Sequence, residues 1–238
     1  MKYSNYTNWK NWKESEFGIT KPGSKFHYDQ LFKGKLKKGS KILEIGYGNG
    51  ELLAYFKSAG HLVLGVELNI HLDERSKKNG YTTYCGNIWD VSELKFNKFD
   101  LIVAFAVVEH MNYIELNKLF IWFNEHLNDE GLIYLKFPEG ASPLALGYQN
   151  GDFTHVTCLT ETKILSLCQS TNMKLQTYCD EALVSNKLCS YGFIGKFFLI
   201  ILQYYAIIFK LLIKLILFPL SPSIKLSTNS IAIVVKLK

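Results

Sequence analysis

Three glycines at alternate positions, Gly46, Gly48 and Gly50, fall in the run Ile-Leu-Glu-Ile-Gly-Tyr-Gly-Asn-Gly (42–50). Glycine is needed where a chain turns sharply or where a ligand lies against bare backbone. A dinucleotide fingerprint would place its third glycine at position 51, which is Glu51, and no Gly-Lys-Ser/Thr follows to make a phosphate-binding loop. A carboxylate in the first turn of the helix that follows would also repel a pyrophosphate. The loop suits a ligand without phosphates. Glu67, seventeen residues after Gly50, ends an apolar run. There it can accept hydrogen bonds from both hydroxyls of a ribose; the plainer alternative is a solvated acid at a strand end. Asn87 sits in Cys-Gly-Asn-Ile-Trp-Asp (85–90), where its amide can meet an adenine edge with Ile88 or Trp89 against the ring face.

Two of the six histidines have a context that could do chemistry. Imidazole is the usual acceptor for a hydroxyl proton near neutral pH. His110 follows an apolar run, and His155 closes the polar loop Gly-Asp-Phe-Thr-His (151–155), with Glu109 and Asp152 beside them as further carboxylates. Each histidine also has a quieter reading: His110 as a helix-start residue that packs locally, His155 as a loop residue that only shapes a pocket. The five cysteines make no Cys-x-x-Cys pair and no cluster with histidine. That pattern points to reduced thiols in a cytosolic protein, with no zinc or other metal site.

The elements that must position these residues alternate regularly from Ser40 onward. Strands are expected at 41–45, 61–66, 81–85, 99–105, 132–137, 174–178 and 231–237. Helices are expected at 49–59, 70–79, 112–127 and from Thr160 to about 171, the third closed by Asp129-Glu-Gly131. Strands separated by helices of ten to fifteen residues mean βαβ units and a parallel sheet covered on both faces. The run Phe-Asp-Leu-Ile-Val-Ala-Phe (99–105) has almost no polar alternation, as a doubly covered strand should. With 238 residues the chain is long enough for one such domain without a staple.

Charge is unevenly spread. Residues 1–41 carry ten lysines against three acids, residues 42–191 eleven bases against eighteen acids, and residues 192–238 six lysines and no acid. Arg75 is the only arginine, and base recognition and bidentate phosphate gripping lean on arginine. An anionic membrane surface or substrate therefore fits the basic ends better than nucleic acid does; lysines that merely solvate the ends are the plain alternative. The first twelve residues contain no apolar core of a signal peptide. Tyr3, Tyr6, Trp9, Trp12 and Phe17 punctuate a Lys/Asn-rich arm, which reads either as a segment packed on the domain by its aromatic face or as a lid.

Residues 193–218 are apolar apart from Lys196, Gln203, Lys210, Lys214 and tyrosine hydroxyls. A helix over 197–217 would be about 32 Å long, enough to span a bilayer. Two lysines lie well inside it, each costing roughly 2.5–3.5 kcal/mol near a bilayer centre, and a strand at 231–237 has to return to the same sheet. The expectation is an interfacial insertion ended by Pro219 and Pro222, apolar face in lipid and lysines toward anionic headgroups. The alternative is an extra helix or helix pair packed on the domain or on a dimer partner.

Four motifs in order resemble the class I S-adenosylmethionine-dependent methyltransferases: residues 42–50, Gly-Val-Glu (65–67), Phe-Asp-Leu-Ile-Val-Ala-Phe-Ala-Val-Val-Glu-His-Met (99–111) and Asp-Glu-Gly-Leu-Ile-Tyr-Leu (129–135). The resemblance runs from about residue 40 to 173. It implies a Rossmann-like, doubly wound α/β fold with a seven-stranded, mostly parallel sheet whose last strand, 231–237, is antiparallel. It implies S-adenosyl-L-methionine as cofactor, with Glu44, Gly46, Gly48 and Gly50 around its methionine part, Glu67 at the ribose, and Asn87 and Ile88 at the adenine. The family usually has Asp where this chain has Asn87. Related sugar and lipid methyltransferases often carry a loop histidine like His155 over the acceptor. Four segments follow: an N-terminal arm or lid (1–39), a cofactor-binding core (40–191), an apolar basic insertion (192–225) and the final core strand (226–238). The function expected is O-methylation of a surface-glycan or lipid-linked acceptor by a cytoplasmic enzyme, peripheral at the inner face of the membrane. Alternatives are a quinone-type or other small-molecule methyltransferase, and a membrane-tethered cofactor-binding protein without catalysis.

Overall fold

The computed structural model describes residues 10, 12–90, 97–181, 191–217 and 225–237. Tyr3, Tyr6, Trp9, Cys189, Pro219 and Pro222 lie outside them. Seven strands form one sheet: β1 (Lys41–Ile45), β2 (Leu62–Glu67), β3 (Thr83–Cys85), β4 (Phe99–Phe105), β5 (Leu127–Pro138), β6 (Met173–Asp180) and β7 (Asn229–Lys236), in the order β3-β2-β1-β4-β5-β7-β6. The first five pair in parallel; β7 runs antiparallel between β5 and β6. This is the doubly wound, mostly parallel α/β sheet expected from the alternating elements. Its strand order reverses at the β1–β4 pair, and in such sheets a crevice opens there at the carboxyl ends.

The continuous apolar runs follow from burial on both faces. Leu43, Ile102 and Ile133 face one cluster with α4 (Tyr113–His126) and α6 (Glu161–Ser170). Their neighbours Ile42, Leu101 and Tyr134 face another with α1 (Pro22–Phe32) and α2 (Glu51–Ser58). α3 (Ile70–Lys78) adds Leu72 to a third cluster, and α5 (Leu146–Asn150) lies in the loop after β5. Asn112 caps α4 through a reciprocal box with Glu115, and Thr160 caps α6.

Several expected boundaries move. β3 begins at Thr83 rather than at 81. β6 and β7 are longer than the apolar runs that announced them, because each pairs with the other along its length. β5 starts at Leu127, directly after α4, rather than at 132. Leu127 is fully buried and pairs with Phe99, and the register then shifts so that Asp129-Glu-Gly131 bulges between that pair and the next, Leu101 with Leu132.

α7 (Gly192–Leu217) is a single helix of 26 residues. The expected direction of its lysines does not hold. Its less exposed positions Gly195, Leu199, Gln203, Ala206, Lys210 and Ile213 recur every three or four residues. Lys210 pairs with Asp180 at the end of β6 at 3.4 Å, and Lys196 lies over the Phe26 ring of α1. The lysine-bearing side therefore turns toward the domain: Asp180 supplies a countercharge, and the helix has no other polar face to offer.

Candidate cofactor and acceptor site

A cavity of about 520 Å³ opens at the carboxyl ends of β1, β2 and β4. Six of the seven residues expected at a cofactor line it: Glu44, Gly46, Gly48, Glu67, Asn87 and Ile88. Gly50 is not among the lining residues. It initiates α2 with φ +70°, and a Cβ there would meet the Phe17 ring at 2.8 Å, so its glycine serves the turn and the arm packed on it.

The arm is stitched across the glycine loop. The Gly18 amide donates to the Asn49 carbonyl (2.9 Å), the Asn49 amide group to the Glu16 carbonyl (2.9 Å), and the Lys21 amide to the Glu51 carboxylate (2.8 Å). Phe17 is buried, and Trp12, Ile19 and Lys21 reach the cavity wall. Packing and covering are the same contact here.

Glu67 is committed before any ligand is considered. Its carboxylate accepts the Gly48 amide (3.2 Å) and the amides of Leu68 (2.8 Å) and Asn69 (3.1 Å). Burial raises its pKa, against the pull of those amides. A carboxylate has about four lone-pair sites, so capacity remains for a ribose. Glu44 is more telling. It is buried at the cavity wall, its Oε2 has no hydrogen-bond partner, and burial followed by the Glu67 charge pushes its pKa up. A buried acceptor without a donor is costly. It calls for a cationic or N–H-bearing ligand, which the amino group of S-adenosylmethionine would supply. The residues present fit that cofactor.

His110 also lines the cavity, from a short 3-10 turn (Val108–His110) after β4. Its Nδ1 meets the Thr154 carbonyl (3.1 Å) and hydroxyl (2.9 Å), and that hydroxyl donates to Asp152 (2.6 Å). His155 stands behind it, ring to ring at 4.7 Å, outside the cavity lining. The Nδ1 of His155 meets the Gln149 carbonyl (3.1 Å), while Nε2 faces Asp152 (3.8 Å) and Glu109 (4.0 Å). Carbonyl partners fix the proton on both Nδ1 atoms and the lone pair on both Nε2 atoms. Glu109 holds the loop, its carbonyl accepting the amides of Val156 and Thr157. The residue is 1% exposed, Oε2 lacks a hydrogen-bond partner, and burial lifts its pKa to about 7. Asp152 is held low: burial raises it, but the Thr154 hydroxyl and amide outweigh that. Glu109, His110 and His155 also place one ligating atom each within 4.8 Å of the others, a spacing that a divalent cation could draw together.

Two wall residues carried no sequence signal of their own: Tyr28 from α1 and Lys136 from β5. Ala106 was legible only as part of a motif, yet it has φ +55°, a strained conformation for a residue with a Cβ. That kink turns the chain from β4 into the His110 turn.

Residues 25–178, well over half of the chain, match a family model described as a methyltransferase domain. An uncharacterized methyltransferase of Oceanobacillus iheyensis is 30% identical over 110 residues, 45% of this chain and 51% of that protein, so the match spans about half the length of that relative. Among solved structures, a TehB-like S-adenosylmethionine-dependent methyltransferase from Corynebacterium glutamicum superposes with TM-score 0.57 at 17% identity, over 97% of this chain and 95% of that one. A further S-adenosylmethionine-dependent methyltransferase, from Archaeoglobus fulgidus, superposes with TM-score 0.60 at 15% identity, over 96% and 97%. At such identities the likeness is one of fold.

Proposed function

The chain belongs to the class I S-adenosylmethionine-dependent methyltransferases, and on that premise we propose that it methylates a hydroxyl of a surface-glycan or lipid-linked acceptor at the cytoplasmic face of a membrane. The observation that carries this is the shared cavity. Glu44, with its orphaned oxygen, the glycine loop, Glu67 and Asn87 line the same cavity as His110. When bound, the cofactor supplies a methyl group already activated on a sulfonium.

The chain's own residues have three tasks. Glu44 and the loop from Gly46 to Gly48 bind the amino-acid end, with Glu67 at the ribose and Asn87 and Ile88 at the adenine. An amide oxygen at Asn87 still accepts from the adenine amine, so the departure from Asp weakens this contact without removing it. Trp12 and Ile19 exclude water from one side, which strengthens every polar contact inside. His110 at the cavity wall takes the acceptor's proton, its Nδ1 set on the Thr154 carbonyl, and His155 packs behind it and holds the ring. A positioned base contributes about 10²–10⁴ in rate.

The cavity is also lined by Tyr28, Phe105 and Met111 together with Lys10 and Lys136, a mixture that favours an acceptor with both apolar and anionic parts. The test is incubation of the protein with methyl-labelled S-adenosylmethionine and separate soluble and membrane extracts of a bacterium. Label in glycan or glycolipid fractions supports the reading. Label confined to quinones assigns the chain to that chemistry instead. Cofactor binding with no turnover on any extract leaves a binding protein.

A further inference from the structure

The surface that the methyl-transfer chemistry leaves unused is α7. Among its described side chains only that of Leu199 is buried. Fifteen large apolar or tyrosine side chains between Phe193 and Ile216 are exposed. They occupy every side except the stripe that faces the domain. A core helix would be covered, and a helix recruiting a second copy of the chain would show a stripe with a polar rim. Here the outward arc is apolar over nearly the whole length, about 39 Å at 1.5 Å per residue. Residues 192–238 also contain no acid.

Two contacts decide how such a helix can meet a membrane. Lys196 over Phe26 and Lys210 on Asp180 tie it to the domain at points fourteen residues apart, about 21 Å along the axis. Beyond Lys210 only seven residues remain in the helix, and before Lys196 only four. Neither end offers the roughly 20 residues that a crossing needs. A crossing would also leave β7 across the bilayer from the sheet in which it pairs with β5 and β6.

We propose that α7 is an in-plane membrane-docking helix, its lysine-bearing stripe seated on the domain and its outward arc buried in the headgroup–acyl boundary of an anionic bilayer. The net positive charge of residues 192–238, six lysines against no acid, supplies the attraction to anionic headgroups. Phe26 belongs to α1, which also sends Tyr28 to the cavity wall. The docked helix therefore runs beside an element that lines the cavity.

The test uses the full chain with phosphatidylglycerol-containing and pure phosphatidylcholine vesicles at low salt, with S-adenosylmethionine affinity measured on the same samples. Wild type should sediment with the anionic vesicles. A triple variant on the outward arc, Ile200→Glu, Ile208→Glu and Leu212→Glu, should lose at least about tenfold in partitioning at unchanged cofactor affinity. All three positions are exposed, so the domain core is untouched. Wild type that ignores both vesicle types overturns the proposal. So does a soluble wild-type dimer that the triple variant converts to monomers without any change in sedimentation, since a second copy then covers the arc. Because cofactor affinity is read separately, failure here leaves the methyl-transfer reading standing, and loss of cofactor binding leaves the docking result interpretable.

Discussion

The indole of Trp12 packs on Gly48 so closely that a Cβ on the glycine would come within 2.7 Å of Cη2. The arm and the glycine loop are thus one structure, and the position has φ +51° besides. Gly48→Val should abolish S-adenosylmethionine binding in calorimetry, because the β-branched side chain resists positive φ and has to displace the ring. Trp12→Ala should weaken binding far less, since it opens the wall without straining the loop. Equal affinities for wild type and Gly48→Val would place the cofactor elsewhere.

Glu67→Ala should weaken cofactor binding by about 1–3 kcal/mol, the scale of hydrogen bonds to a charged group. Its carboxylate also accepts three backbone amides, so the melting temperature should fall as well. Glu67→Gln separates the effects. It retains acceptor oxygen for part of the loop but meets a ribose with one acceptor fewer, so affinity should drop more than stability does. A glutamine variant that binds like wild type would confine Glu67 to the loop.

His110→Ala should lower turnover by about 10²–10⁴ while leaving cofactor affinity nearly intact, and His155→Ala should lower it by less. If His110→Ala removes turnover and His155→Ala does not, the histidine at the cavity wall acts alone. Turnover should survive a chelator, because the geometry lets both imidazoles act without a cation. Loss of activity in EDTA, restored by Mn²⁺ or Zn²⁺, would instead make Glu109, His110 and His155 a metal centre.

Two glutamates, Glu109 buried and Glu181 half-buried, should pull stability in opposite directions with pH. Burial works against the Glu181 carboxylate, but His27 at 3.3 Å and Lys136 at 3.1 Å hold its pKa at about 2. That stability is present above the unfolded value near 4.5 and is lost as pH falls toward 2. Glu181→Gln should cost on the order of 2 kcal/mol at pH 7 and flatten the acid limb of a denaturation profile. Glu109, raised by burial to about 7, contributes fully below pH 4.5 and loses that contribution as pH rises through 7. Glu109→Gln should therefore be neutral at pH 5 and stabilising at pH 8. Parallel profiles for both variants would contradict these assignments.

Local chemistry was legible wherever one element sufficed to express it. Glycines between a strand and a helix, an acid closing β2 and the doubly apolar run of β4 announced both the sheet and the cofactor site. What stayed hidden depended on distant parts meeting. Nothing near Tyr28 or Lys136 says that α1 and β5 share a wall with the glycine loop. The start of β5 at Leu127 was masked by a polar Asp-Glu-Gly bulge that reads as a helix stop. The lysines of α7 were visibly on one face, but only Asp180, thirty residues earlier, decides that the face points inward.

The position of β7 sets an order of events for the nascent chain. β7 lies between β5 and β6, so β6 has no ladder partner and β5 keeps one open edge until residues 229–236 are synthesised. By then α7 has already emerged, with its apolar arc exposed beside two open strand edges. Unpaired edges and exposed apolar surface are the two features that most invite aggregation. A chain that engages lipid at that stage would shelter its most adhesive segment while the sheet waits to close. Refolding from denaturant without vesicles should accordingly give lower yields of cofactor-binding protein than refolding with them.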